Sequence, residues 1–189
     1  MNITIVKMMP ERWDDLVDLF GPERGANGGC WCMWWRTSRA EWQKKDRSGR
    51  KAAFKRVVDS GAPVGLLAYD GASAVGWCAV GPRSSLPTLA RSRVAKSVAS
   101  EDEATWFINC FYVRAGYRGH GLMEPLAKAA TQLAFQHGAS VVEACPIDTG
   151  RTLQWGEGFV GLVSVFERLG FTEIARRTPG RPLMRLTRA

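Results

Sequence analysis

A glycine-rich turn between an apolar run and a long periodic segment constrains this chain more than any other feature. The apolar run from Trp106 to Val113 predicts a buried strand, and the segment from Leu122 to His137 predicts a helix. The glycines lie between them, from Gly116 to Gly121. A turn of this kind gathers unpaired backbone N–H groups at the positive end of a helix dipole. It therefore predicts a phosphate or pyrophosphate site, with a simple tight turn as the structural alternative.

Two other nucleotide-binding motifs fit this loop poorly. No Lys-Ser or Lys-Thr pair follows the glycines, which argues against a phosphate-cradling P-loop. Glu124 stands where the third glycine of a dinucleotide-binding fingerprint belongs. The sequence therefore indicates neither a P-loop fold nor a dinucleotide-binding fold for the predicted anion site.

The composition is that of an ordinary globular protein. The chain has 189 residues, 46% of them hydrophobic and 23% charged, which suits a single domain over residues 1–189. The N-terminal segment lacks the long apolar stretch of a signal peptide, and no run approaches the roughly 18 residues of a membrane span. We expect a cytoplasmic protein without a membrane partner.

The charge and the cysteines limit the partners further. A net charge of +8 and a pI near 9.6 favour an anionic partner. The basic residues are spread along the chain rather than gathered in one arm, so we do not expect a nucleic-acid partner. The five cysteines are odd in number and predict free thiols, and only two histidines accompany them, so no metal site is expected.

The remaining pattern predicts a mixed α/β (α+β) fold. We expect a mostly antiparallel sheet with helices on both faces and one parallel crossover through the helix at Leu122. The predicted strands cover residues 3–6, 64–69, 74–80, 105–113, 141–145, 171–176 and 183–186. The predicted helices cover residues 10–20, 122–137 and 159–169, with one long or two short helices in 38–60. Ser38 and Glu41 form a capping-box pattern at the start of that last region.

The glycine loop resembles the acetyl-CoA signature of the GNAT N-acetyltransferase superfamily. That signature is Arg/Gln-x-x-Gly-x-Gly/Ala, and the segment from Arg118 to Met123 matches its first and fourth positions. Met123 replaces the small residue of the sixth position. The later segment from Phe166 to Phe171 is similar to the family's helix, Gly-Phe and strand element.

The resemblance implies an enzyme that moves the acetyl group of acetyl-CoA directly to a primary amine of a small molecule or peptide. It places the cofactor-binding core at about residues 104–146. The strand end would hold the pantetheine arm and the loop amides the pyrophosphate. The implied cofactor-binding residues are Phe111, Tyr112, Val113, Arg118, Gly119, His120, Gly121, Leu122 and Met123.

The catalytic groups of the resembling family are missing from their usual positions. Phe166 stands where many members have a proton-donating tyrosine, and Phe159 where an asparagine often accompanies it. Glu143 and Cys145 share one face of the next strand and are the candidate catalytic residues. Their structural alternatives are an ion pair with an arginine for Glu143 and a small core residue for Cys145. A water-relayed proton path would require neither.

An unusual segment, Cys30 to Arg36, completes the candidate site. Trp31, Trp34 and Trp35 could form an aromatic pocket for the amine acceptor, or a hydrophobic plug over the core. Similar Cys-Trp-Cys-Met-aromatic-Trp-Arg stretches occur in uncharacterised bacterial members of the superfamily.

Two alternatives to an enzyme stay open. One is a GNAT-like sensor that binds acyl-CoA without catalysis, and the other is a basic nucleic-acid-binding protein. The resemblance also leaves a homodimer open, since many relatives dimerise.

Overall fold

The protein folds around one seven-stranded sheet. The computed structural model describes residues 1–21, 25–26, 28–98, 104–150 and 157–188. The strands are β1 Ile3–Lys7, β2 Gly65–Asp70, β3 Ser73–Pro82, β4 Thr105–Val113, β5 Val141–Ala144, β6 Thr172–Ala175 and β7 Leu183–Thr187. The helices are α1 Trp13–Phe20, α2 Arg39–Lys44, α3 Arg47–Asp59, α4 Met123–Gln136 and α5 Val163–Arg168.

The sheet is antiparallel except at its centre. Its strand order is β1-β2-β3-β4-β5-β7-β6, and only β4 and β5 pair in parallel. Helix α4 connects those two strands, as expected for a crossover between parallel neighbours. The predicted fold class is therefore confirmed. Within the described residues, no helix has the length and apolar character that crossing a membrane would require.

Helices cover both faces of the sheet. Leu66 and Ala68 of β2 pack on the side that holds α4 and α5. Their neighbours Leu67 and Tyr69 pack on the other side, with α1 and α3. This alternation is the period-two pattern of a strand that is buried on both faces. Among the described residues it produces two large apolar cores, one on each side of the sheet, beside a smaller third cluster.

The basic region after the glycine-rich N-terminal break forms two helices rather than one. The Ser38 side chain accepts the backbone N–H of Glu41, whose carboxylate accepts the N–H of Ser38 in return. This is the predicted capping box. A second start follows at once, because Asp46 accepts the N–H of Gly49 and caps α3.

The last helix begins later than the sequence indicated. The prediction started it at Phe159, whereas α5 begins at Val163 and residues 157–160 form a separate 3-10 turn. Gly161 divides the two with a φ of 85°, a left-handed conformation that interrupts a right-handed helix. The interruption turns Phe159 away from the helix and toward β4.

Candidate active site

Strand β4 loses one of its two partners halfway along its length. It pairs with β3 as far as Val113, but with β5 only from Thr105 to Ile108. A register shift against β3 leaves Asn109 in a bulge at the point where β5 departs. In the described chain, the β5-facing edge of residues 109–113 therefore pairs with no strand. Such an edge offers N–H and C=O groups to an extended ligand.

The glycine loop continues from the open end of β4. In the part of the chain that the structure describes, the backbone N–H groups of residues 119–123 donate to no protein acceptor. Gly119 and Gly121 have φ angles of 78° and 77°, and a Cβ at either would meet open space. Helix α4 then starts without a side-chain cap. The unpaired amides and the positive end of the helix dipole make this loop suited to an anion.

Arg118 adds a positive charge where the strand meets the loop. Its Nε donates to the carbonyl oxygen of Val113 over 2.8 Å. The guanidinium carbon lies 5.9 Å from the centre of the Tyr112 ring. The predicted cofactor-binding residues thus follow one continuous path, from the open edge of β4 to the first turn of α4.

A cavity of about 400 Å³ adjoins the open edge. Most of its wall is aromatic or apolar, and six separate parts of the chain contribute to it. Its described lining consists of Cys30, Cys32, Trp34, Trp35, Trp42, Val94, Asn109, Cys110, Phe159, Val160 and Arg181. Because Asn109 and Cys110 belong both to this wall and to the open half of β4, the cavity and the strand edge form one site.

The three tryptophans of the unusual segment divide between pocket and core. Trp34 and Trp35 line the cavity. Trp31 does not, since it is 1% exposed and stacks on Trp13 at a centroid distance of 5.9 Å. The segment therefore closes the core with one ring and faces the cavity with two.

The backbone of this segment is strained. Trp31 and Cys32 have φ angles of 48° and 51°, in the left-handed region that side chains other than glycine disfavour by about 1–2 kcal/mol. Packing around both residues holds the conformation. In this backbone conformation the Cys32 thiol lies against the sheet.

Three thiols meet at the floor of the cavity. The indole N–H of Trp77 donates to Sγ of Cys32 over 3.3 Å. A hydrogen bond from the Cys110 thiol, with this indole and the charge of Arg36 as smaller causes, lowers the pKa of Cys32. The same interaction with Cys32, together with burial, raises the pKa of Cys110. Burial raises the pKa of Cys30 to about 11. In the described chain no group of three or more His, Cys, Asp or Glu residues could hold a metal ion.

Glu143 forms a buried ion pair and takes no part in the cavity. Its side chain is fully buried, with Oε2 2.7 Å from Nη1 of Arg83 and Oε1 2.6 Å from Nη2 of Arg185. It does not line the cavity. The arrangement is the ion pair that the sequence left open as the alternative, with two arginines instead of one.

Cys145 and Phe166 are core residues by position. Cys145 is 4% exposed, and burial raises the pKa of its thiol. Its carbonyl oxygen accepts Nη2 of Arg181 over 2.9 Å, so its backbone holds a residue of the cavity wall. Phe166 is fully buried between Phe111 and Phe171.

Sequence reasoning did not assign six residues of the cavity wall to the site: Trp42, Val94, Asn109, Phe159, Val160 and Arg181. Asn109 had a detectable signal, since it is the one polar side chain in the apolar run from Trp106 to Val113. Arg181 had none, because it is one of several arginines near the C-terminus.

The comparisons with known proteins agree with this architecture. The model of the Acetyltransferase (GNAT) family matches residues 27–171. No curated protein sequence matches the chain significantly.

Solved structures with the same fold span nearly the whole chain. The aminoglycoside acetyltransferase AAC(6')-Ib, in complex with coenzyme A, superposes with a TM-score of 0.59 at 15% identity, covering 99% of this chain and 95% of its own. The PaiA N-acetyltransferase of Thermoplasma acidophilum, in complex with coenzyme A, gives 0.55 at 15% identity and covers 100% of both chains. YncA of Salmonella typhimurium, a putative acetyltransferase with acetyl-CoA, gives 0.55 at 17% identity, covering 99% and 94%.

At these identities the solved structures establish the fold. The family match spans most of the sequence, including the open strand, the glycine loop and the cavity wall from Cys30 to Val160. The chain belongs to the GNAT acetyltransferase family.

Proposed function

We propose that the protein is an acetyl-CoA-dependent N-acetyltransferase that acts on a primary amine. The observation that carries the proposal is the row of unpaired backbone amides at residues 119–123, directly after the open edge of β4. The amides suit a pyrophosphate, and the strand edge suits the amide groups of a pantetheine arm. Three of the structurally similar proteins are described as bound to coenzyme A or acetyl-CoA, which supports the same ligand here.

The reaction is a direct acyl transfer. The acceptor nitrogen forms a bond to the acetyl carbonyl carbon, the carbon–sulfur bond breaks, the nitrogen loses a proton and the CoA thiolate gains one. A backbone N–H on the open half of β4, between Cys110 and Val113, would stabilise the negative charge on the carbonyl oxygen. The acceptor would approach from the cavity, because Asn109 and Cys110 connect the cavity to that strand edge.

The decisive experiment is calorimetric titration with acetyl-CoA and, separately, with CoA. Micromolar binding is expected for both. Gly121→Glu should abolish it, since the new side chain places bulk and a negative charge at the anion site. Gly138→Glu is the matched control, because Gly138 has a similar φ of 84° at the other end of α4 and open space around it. Undiminished binding in Gly121→Glu would contradict the proposal.

A second candidate function is an acyl-CoA sensor without catalysis. It is favoured by the state of Glu143, whose carboxylate is occupied by two arginines, and by the burial of Phe166 where a proton donor is usual. Thiol release from acetyl-CoA in the presence of amines separates the two functions. Turnover with any amine excludes the sensor, whereas binding without turnover across a broad amine panel excludes the enzyme.

A further inference from the structure

The cavity has an unusual balance of charge. Its walls carry the rings of Trp34, Trp35, Trp42 and Phe159, and its polar side chains include Asn109 and Arg181. Among the described lining residues there is a guanidinium but no carboxylate. A cationic amine without a negative group of its own would find no carboxylate partner among these lining residues and would face the like charge of Arg181. An acceptor that carries its own anion would be matched.

The Arg181 guanidinium has hydrogen-bond donors that remain available to such an anion. Its Nη2 donates to the carbonyl oxygen of Cys145, while its Nε is buried with no hydrogen-bond partner. It forms no ion pair with any residue that the structure describes. The Nη1 group also has no acceptor among the described residues, and a guanidinium offers such N–H groups in the fork geometry that carboxylates accept.

Asn109 is a second polar side chain of the cavity wall, and it lacks hydrogen-bond partners in the described structure. It is 4% exposed, and neither Oδ1 nor Nδ2 has a hydrogen-bond partner in the described structure. A buried polar group left unpaired costs about 1–3 kcal/mol. The bulge in β4 leaves this residue outside the regular register with β3, next to the edge where the acyl group would lie. A ligand with both a donor and an acceptor would offset the cost.

We infer that the acceptor is a small aromatic amine that carries a carboxylate, with the ring against Trp34 and Trp42, the carboxylate on Arg181 and the amine near Asn109. The inference rests on the proposed acetyltransferase function. It names a chemical class, of which aromatic amino acids and aminobenzoates are members.

The same arrangement would deprotonate the acceptor without a carboxylate base. The alkyl amine of an aromatic amino acid is charged in water at neutral pH, and in an aromatic cavity it loses solvation of that charged form, which lowers the amine's pKa. The aryl amine of an aminobenzoate is neutral already. Pairing of the acceptor's own carboxylate with Arg181 removes the negative charge that would otherwise stabilise the ammonium group. The neutral amine is the form that attacks the thioester. The cavity would therefore take over the deprotonation that a glutamate base performs in other enzymes of this kind.

The test compares three matched pairs of acceptors by thiol release. The pairs are L-phenylalanine and phenethylamine, L-tryptophan and tryptamine, and 4-aminobenzoate and aniline. At least one carboxylated member should exceed its partner in kcat/KM by about tenfold or more, mainly through KM, as expected for one charge-assisted contact. Arg181→Gln should bring that pair close to parity. Arg188→Gln, an exposed arginine whose Nη1 contacts the carbonyl oxygen of Phe135, should leave the ratio unchanged.

A second variant guards against misfolding. Asn109→Leu replaces a buried unpaired amide with an apolar group of similar size. We expect a higher Tm together with about a tenfold lower kcat/KM for the preferred acceptor. A merely structural residue would move both quantities in the same direction.

The outcomes separate the two proposals. Equal or better use of the amines without a carboxylate, or a preference that survives Arg181→Gln, overturns the inference and leaves the acetyltransferase proposal standing. Acetyl-CoA binding without turnover of any of the six amines also overturns this acceptor class. Absence of acetyl-CoA binding overturns the proposed function itself.

Discussion

Glu143 and Arg83 form a salt bridge of 2.7 Å in which the two side chains are 0% and 3% exposed. Arg185 contacts the other carboxylate oxygen from β7, so one buried charge holds β5, β7 and the segment after β3 together. Removing one member of such a group leaves an uncompensated buried charge.

We therefore expect Glu143→Gln to destabilise the fold by about 3–5 kcal/mol. The free energy of unfolding, measured in urea, tests this. Asp59→Asn is the control, because its partner Lys55 is solvent-exposed, and it should cost under about 1 kcal/mol. If Glu143→Gln instead kept full stability and lost turnover with acetyl-CoA binding unchanged, Glu143 would be a catalytic group after all.

A substitution at Gly161 tests the break between the 3-10 turn and helix α5. A Cβ there would lie 2.7 Å from Cε2 of Phe166 and 3.1 Å from Cε2 of Phe111, at a φ of 85°. Gly161→Ala should therefore combine left-handed backbone strain with a steric clash against two core rings. Gly138→Ala has nearly the same φ and no atom within 4 Å, so it should show the strain alone, about 1 kcal/mol. Equal Tm losses in the two variants would show that the rings move aside freely.

The thiols at the cavity floor should differ in their response to pH. A thiol reacts with iodoacetamide as its thiolate, so a lowered pKa moves reactivity to lower pH. The pKa of Cys32 is lowered, whereas burial raises that of Cys30 to about 11. Between about pH 6 and pH 10, Cys32 should reach its maximal alkylation rate first. Mass spectrometry of labelled peptides checks the order, and the reverse order would contradict this account of the thiol cluster.

Arg118 should contribute to binding of the anion more than to folding. Its side chain is exposed and contacts the carbonyl oxygen of Val113, so Arg118→Ala should change the Tm little. Loss of one charge-assisted contact should weaken CoA binding about tenfold, and the difference should shrink at high salt. Arg188→Ala serves as the control for net charge. Equal affinities for the two variants in calorimetry would assign Arg118 a purely local role.

The strand, the turn and the helix of the candidate cofactor site were predictable because they are encoded locally. The apolar run, the glycines and the periodic helix follow each other within residues 105–136, so their arrangement follows from the order of the chain. The capping box of Ser38 and Glu41 was predictable for the same reason.

The parts that the sequence did not predict depend on contacts between distant segments. Arg83 and Arg185 lie 60 and 42 residues from Glu143, and no local pattern joins them. The cavity brings Asn109 of β4 together with Arg181 of the β6–β7 connection and Trp42 of α2. The start of α5 was misplaced because Gly161 was not recognised as a break between two helical turns.

The open half of β4 borders the cavity at one end and the glycine loop at the other. In the proposed reaction, the acetyl donor and the amine acceptor would therefore be spaced along a single strand, at about 3.3 Å per residue. The loop from Cys30 to Arg36 and the turn at residues 157–160 can then change their side chains without altering that spacing. Under the proposed function, the covering segments would set which amine fits, while the strand would set the distance between the two reactants.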